Sequence, residues 1–165
     1  MIKSWISSKL SKVVRGEEGS ALIELGLSLG LFFSMLLGAA EFAKLSYAAI
    51  EVSNAAHAGA VYAATTVGAS TDSTGITNAA VADAGNMGGS DAVSVVSVTT
   101  ACACSDPTYT PSSCSDNSTC SSNNAAMITT VTVTTQATYK PLIRLPGGAS
   151  SFTLQGQSSQ VVSNQ

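Results

Sequence analysis

The longest apolar run of the chain lies near its start, from Ser20 to Ala40. In a helix with a rise of about 1.5 Å per residue, its 21 residues would reach about 30 Å, the thickness of a bilayer's hydrocarbon core. Glu24 is the one charged residue within it. A carboxylate at membrane depth costs about 2.5–3.5 kcal/mol on insertion scales. The run therefore predicts a membrane-spanning helix whose Glu24 needs a compensating interaction.

Beyond this run, apolar positions keep a helical period and predict that the helix continues. The repeating positions alternate in steps of three and four: Phe42, Leu45, Ala49, Val52, Ala56, Gly59 and Ala63. A continuous helix from about Ser20 to Thr65 would be roughly 70 Å long, with its first half in lipid and its second half against a head domain. The β-branched residues before Gly68 supply its end.

The rest of the chain predicts one short helix and then three strands. Asp72, Ser73 and Thr74 are candidate caps for the short helix, whose buried face would be Ile76, Ala80, Ala84 and Met87. Alternating patterns predict strands over 91–100, 126–139 and 151–157, with a bulge where Val95 and Val96 break the first alternation. The expected inward residues of the last two strands are Met127, Val131, Val133, Ala137, Tyr139, Phe152 and Leu154.

Three successive strands without helical crossovers favour an antiparallel meander packed on the outer half of the long helix. The fold class is therefore α+β. The predicted organisation is a basic leader over 1–19, a transmembrane helix over 20–40, its extracytoplasmic continuation over 41–67, and a small head over 68–165.

Charge is scarce and asymmetric along the chain. The basic residues of the leader are Lys3, Lys9, Lys12 and Arg15. After Gly19 the only bases are Lys44, Lys140 and Arg144, against eight acids. This distribution predicts a cytoplasmic leader and an extracytoplasmic head, and it offers no basic surface for nucleic acid.

The junction between leader and span carries a recognisable order of residues. RGEEGSALIE, residues 15–24, places any cleavage before the apolar run, whereas a secretory signal is cut after it. This order resembles the type IV prepilin signal. The resemblance implies that a prepilin peptidase cuts between Gly19 and Ser20, and that Glu24, the fifth mature residue, pairs with the N-terminal amine of a neighbouring subunit. Leu25 departs from the aromatic residue usual at that position.

Residues 41–64 resemble TadE-like pseudopilins of tight adherence (Flp) pili. In that family an E-F pair precedes a motif N-A-A-x-x-G-A-x-x-A, which is matched here by Glu41-Phe42 and by residues 54–63. His57 and Val61 stand where the family often has arginine. The resemblance implies a pilin-like fold and a minor pseudopilin of the bacterial inner membrane, with membrane lipid, prepilin peptidase and other pilins and pseudopilins as partners. Two alternatives stay open: an unprocessed single-pass accessory protein, and an adhesive binding module at a pilus tip.

The four cysteines fall in the predicted exported part, where disulfides persist: Cys102, Cys104, Cys114 and Cys120. They lie in a polar connection over 101–125 that needs fastening. Cys102 and Cys104 share one strand face, which disfavours a bond between them. We expect the nested pairing Cys102–Cys120 with Cys104–Cys114, and the crossed pairing is the alternative.

Enzymatic and metal-binding chemistry have no support in the sequence. The cysteine spacing matches neither zinc knuckles nor a C-x-x-C redox motif. His57 is the single histidine, and no nucleophile-elbow motif accompanies it. We therefore expect no catalytic residue, metal, cofactor or small-molecule substrate.

Overall fold

The computed structural model describes residues 17–111, 113–114, 118–143 and 149–162, so most of the predicted leader lies outside it. The elements in chain order are α1 (Glu17–Ala64), a 3₁₀ turn (Ala69–Thr71), α2 (Ser73–Asp83), a second 3₁₀ turn (Gly89–Asp91), β1 (Ser94–Cys104), α3 (Ser118–Ser121), β2 (Met127–Tyr139) and β3 (Phe152–Val161). The chain divides into two compact units, Met1–Ala43 and Lys44–Gln165.

The predicted long helix is confirmed by α1, which ends at Ala64, one residue before the predicted end. Its end is closed by Thr65, whose backbone N–H and side-chain hydroxyl both donate to the carbonyl of Tyr62, at 3.1 and 2.8 Å. A β-branched side chain that bonds back to the preceding turn satisfies a terminal carbonyl and competes with further helix.

The buried face of α1 in the second unit differs in part from the predicted stripe. Its members are Ala48, Val52, Ala55, Ala56, Gly59, Ala60 and Ala63. Phe42, in the first unit, is 69% exposed, and Ala49 is also exposed, so the periodic apolar stripe and the buried face coincide only in part. Ala48 and Ala49 are adjacent and chemically identical, and so periodicity alone could not decide which of them faces the core.

The predicted short helix is confirmed by α2. The Asp72 carboxylate accepts the backbone N–H of Gly75 at 2.9 Å and caps the first turn. Ile76 and Ala80 are fully buried, and Ala84 is nearly so. Three of the four predicted residues are thus buried, while Met87 lies beyond the end of α2 and is only partly buried.

The three strands form one antiparallel sheet in the order β1-β2-β3, which confirms the α+β class and the meander. The predicted bulge is also confirmed, since Val95 pairs with Thr135 and Ser97 with Thr134, leaving Val96 as the extra residue. In β2 the odd-numbered side chains from Thr129 to Tyr139 are buried.

The first residue of β3, Phe152, departs from the prediction that it lies inward. Leu154 packs against the core, but Phe152 is 50% exposed. Phe152 pairs with Tyr139 at the last position of the sheet. Alternation predicts which face a residue occupies, but it does not predict how far the core extends along the strand.

The core is built mainly from small residues and lies between the second part of α1, α2 and the sheet. Two buried clusters contribute: Val52, Ala55, Ala80, Ala84, Val93 and Ala137, and then Ala60, Ala63, Ile76, Val131, Val133 and Val162. A buried hydrogen bond joins helix to sheet, because the Thr135 hydroxyl donates to the Val52 carbonyl at 2.7 Å. Gly156 allows this close approach, since a Cβ there would lie 2.8 Å from Cα of Ser53.

Candidate assembly helix and disulfide-linked loop

The predicted cleavage and docking residues all lie in the first turns of α1. Gly19 is the third residue of α1 as the structure describes it. Gly19, Ser20 and Glu24 are all exposed. Ser20 and Glu24 are four residues apart and therefore share one face of the helix. The three residues are therefore exposed neighbours in the first described turns of α1.

The side chains that follow Glu24 present a continuous apolar surface. The large apolar residues from Leu22 to Leu37 are between 43% and 73% exposed. The Ser34 hydroxyl donates to the carbonyls of Gly30 and Leu31 at 3.0 and 2.8 Å, so it is satisfied within the helix. Glu24 is thus the one charged side chain between Gly19 and Ala40. A surface of this kind requires apolar surroundings outside its own chain.

Length and composition support a membrane span at this place. The stretch Gly19–Ala64 is a single helix with a mean hydropathy of 1.9 in its most apolar window, and that window is not buried by the rest of the described chain. One helix of the described residues could therefore cross a membrane.

The cysteines are paired in the crossed arrangement, and the nested pairing was wrong. Cys102 is bonded to Cys114 and Cys104 to Cys120, with Cα–Cα distances of 5.4 and 5.3 Å. The predicted absence of a Cys102–Cys104 bond is correct. Both residues belong to β1, which continues to Cys104, so the loop begins later than the predicted residue 101.

The reason for the crossed pairing lies in α3, which the sequence pattern did not reveal. This single turn carries Cys120 into the interior, where it meets the buried Cys104. Cys102 is half-buried and bonds to Cys114, which is exposed. Two hydrogen bonds between Ser105 and Ala126 close the base of the loop. The Ser105 N–H donates to the Ala126 carbonyl at 2.8 Å, and the Ala126 N–H donates to the Ser105 hydroxyl at 3.0 Å.

The described part of the loop is polar and forms local hydrogen bonds. The Asp106 carboxylate accepts the Thr108 N–H at 2.9 Å, and this bond lowers the pKa of Asp106 below its usual value. Asn123 donates from its side chain to the Thr119 carbonyl at 2.8 Å. These bonds and the two disulfides hold a polar, accessible loop on the head.

Two tyrosine–carboxylate contacts shift pKa values on the surface of the head. The Tyr62 hydroxyl donates to Asp72 at 2.9 Å and thereby raises the pKa of Tyr62. The pKa of Asp72 is lowered, first by the Gly75 N–H and then by Tyr62. A hydrogen bond with Glu51 raises the pKa of Tyr47. The Tyr62–Asp72 contact fastens α1 to the start of α2, whereas Tyr47 and Glu51 both lie on α1.

Other candidate chemistry is sparse. His57 Nδ1 lies 3.4 Å from the Ser158 hydroxyl on the surface, a contact that both residues make as part of the α1–β3 packing. No group of three or more His, Cys, Asp or Glu residues suited to a metal ion occurs among the described residues. An open cavity of about 210 Å³ is lined by Lys44, Tyr47 and Tyr139, among others. A second open cavity, of about 310 Å³, is lined by Val67, Met127 and Val162, among others.

A comparison with protein families finds one match, which lies within α1. The model of the family described as TadE-like protein matches residues 19–61. No curated protein and no solved structure matches the chain. The matched segment begins at the predicted cleavage glycine and includes Glu24 and most of the buried face of α1. The resemblance predicted from the sequence motifs is thus confirmed over residues 19–61, where the chain is similar to TadE-like proteins.

Proposed function

We propose that this protein is a minor pseudopilin of a tight adherence pilus. In this proposal a prepilin peptidase cuts after Gly19, residues 20–40 lie in the inner membrane, and the exported head faces outward. The mature chain then primes or joins pilus assembly. The observation that carries the proposal is the family match that begins at residue 19, on a helix whose apolar surface contains one carboxylate.

The role of Glu24 follows from the cost of charge in lipid. Cleavage after Gly19 would leave a positively charged amine on Ser20, at the start of the apolar helix. An isolated amine and an isolated carboxylate are each unfavourable at membrane depth, but a paired set is tolerated. Helices of neighbouring subunits that bury the exposed surface from Leu22 to Leu37 would bring one subunit's amine near another's Glu24. Pairing would therefore favour assembled subunits over dispersed ones.

The head supplies a second candidate role, adhesion at a pilus tip. The supporting observation is the polar loop after Cys104, which the two disulfides hold in place on the surface of the head. Replacing residues 106–111 with a Gly-Ser sequence leaves all four cysteines intact and separates the two roles. Loss of adhesion with normal pilus number supports a contact surface, whereas loss of pili assigns the loop to assembly.

The experiment that tests the main proposal is the intact mass and N-terminal sequence of the protein purified from membranes with and without the prepilin peptidase. A chain that begins at Ser20 only when the peptidase is present supports the pseudopilin. A chain that begins at Met1 in both strains contradicts processing and favours the unprocessed accessory protein. A Glu24→Gln variant serves as a control, because it keeps the cleavage site while removing the docking charge.

A further inference from the structure

The two disulfides of the head differ in their access to solvent. Cys104 is 5% exposed and Cys120 is fully buried. Cys114 is exposed, and its partner Cys102 is half-buried. Thiol–disulfide exchange begins when a thiolate attacks one sulfur of the bond, so its rate depends on access to that sulfur. In the folded head, the bond that an external thiol reaches is therefore Cys102–Cys114, and it is reached at Cys114.

The other disulfide is protected by the backbone around Cys120 as well as by burial. The Cys120 carbonyl accepts the backbone N–H groups of Asn123 at 3.1 Å and of Ala125 at 2.9 Å. A thiol can attack the Cys104–Cys120 bond only after this packed turn has opened. Reaction through such an opening is slowed because the open form is a small fraction of the molecules.

The exposed cysteine lies beside a concave apolar surface. Cys114 lines the 310 Å³ cavity together with Val67, Met127 and Val162, and none of the described residues that line it is charged. Val67 is 58% exposed, so the apolar lining continues to the surface of the head. An open apolar cavity next to an accessible disulfide suits an apolar side chain that flanks a reactive cysteine on another protein.

We propose that the Cys102–Cys114 disulfide is a substrate of an exported dithiol oxidoreductase. A thiolate of that protein attacks the Cys114 sulfur, while an apolar side chain next to it occupies the cavity. The attack forms a mixed disulfide with Cys114 and releases the Cys102 thiolate, which takes up a proton. The second thiol of the oxidoreductase then displaces Cys114 as a thiol, so the oxidoreductase leaves as a disulfide and has supplied both electrons.

The consequence is a loop that can be released in part without unfolding the head. Opening Cys102–Cys114 detaches residue 114 from β1, while Cys104–Cys120 still joins β1 to α3. The polar loop after Cys104 thereby loses one of its two covalent attachments, and the reverse exchange restores it. The reaction requires an exported head, which the proposed function includes.

The first measurement is the order in which the disulfides are reduced in the purified full chain in detergent. Samples are taken during treatment with dithiothreitol, alkylated with iodoacetamide and mapped by peptide mass. We expect Cys102 and Cys114 to be modified at least about tenfold faster than Cys104 and Cys120. Equal rates, or faster modification of the buried pair, would overturn the inference. This result does not depend on leader cleavage, so its failure leaves the proposed function in place.

The second measurement traps the mixed disulfide with thioredoxin whose second active-site cysteine is replaced by alanine. We expect thioredoxin to be attached at Cys114. Val67→Glu places a charge beside the cavity and should lower the trapped fraction on the order of fivefold, with the dithiothreitol rate unchanged. Val81→Glu is the matched control, because Val81 is 45% exposed on α2 and does not line the cavity. Attachment at Cys102, no trapped complex, or equal trapping by the two variants would contradict the inference.

Discussion

The two parts of α1 both carry apolar side chains but have opposite relations to the chain. Between Leu22 and Leu37, the large side chains are exposed along the whole helix. Between Ala48 and Ala63, alanine, glycine and valine are buried against α2 and the sheet. Large side chains project to reach external partners, whereas small ones let the protein's own backbone approach closely. Side-chain size therefore distinguishes the exposed part of the helix, for which we propose a role in assembly, from the part that is buried in the head.

The largest expected effect concerns the assembly part. Glu24→Gln removes a charge whose placement in lipid costs about 2.5 kcal/mol or more, so loss of its pairing corresponds to a decrease of roughly tenfold or more in association. Co-purification with other pilus components measures it. The thermal midpoint of the head should stay unchanged, because Glu24 lies outside the second unit. Undiminished co-purification would contradict docking by the carboxylate.

A matched pair of glycines on the same helix tests the comparison directly. A Cβ at Gly59 would lie 3.3 Å from Ala80 Cβ, the Ile76 carbonyl and Val133 Cγ1, whereas Gly26 has open space around it. Gly59→Leu should therefore destabilise the head by about 1–3 kcal/mol through overpacking. Gly26→Leu should leave head stability unchanged. Thermal unfolding of the full chain in detergent, followed by the sheet's circular dichroism, measures both, and equal midpoints would refute the division of α1.

The two disulfides should also differ in how much they stabilise the head, because Cys104–Cys120 is buried and Cys102–Cys114 is partly exposed. Their sequence separations are similar, 16 and 12 residues, so the loop-closure contributions should be comparable at roughly 2–4 kcal/mol each. Replacing Cys104 and Cys120 with alanine also leaves a cavity, because both are buried. This double variant should therefore have a lower thermal midpoint of unfolding than the variant in which Cys102 and Cys114 are replaced. Peptide mapping of the unreduced protein checks the crossed pairing, and a Cys102–Cys120 peptide would exclude it.

The smallest effect is a dependence of stability on acid pH at the junction of α1 and α2. The pKa of Asp72 is lowered in the folded state by Gly75 and Tyr62. Its contribution is therefore fully present above the unfolded value of about 4 and is lost as pH falls through the lowered pKa. Asp72→Asn keeps a capping side chain but does not titrate. The difference in thermal midpoint between wild type and this variant should be largest near neutral pH and shrink by a few degrees below about pH 4. A difference that stays constant with pH would contradict the role of the charge.

Much of the fold could be read from local periodicity. Helix α1, the cap at Asp72, the buried face of α2, the bulge at Val96 and the meander all follow from patterns within a few residues. The candidate assembly site was also visible in sequence, because Glu24 interrupts an otherwise apolar run. The loop was predicted less well. Helix α3 is a single turn in a polar segment, too short for any periodicity to mark it.

By itself, the sequence determined the apolar span, its lone carboxylate, the family motifs and the order of helix and strands, because each depends on neighbouring residues. The tertiary structure decided what depends on distant ones. It selected Ala48 over Ala49 for the core, left Phe152 exposed at the sheet's end, and paired Cys104 with Cys120. Those choices follow from which surfaces meet in space, because identical side chains, whether two alanines or two cysteines, are distinguished only when their partners are in place.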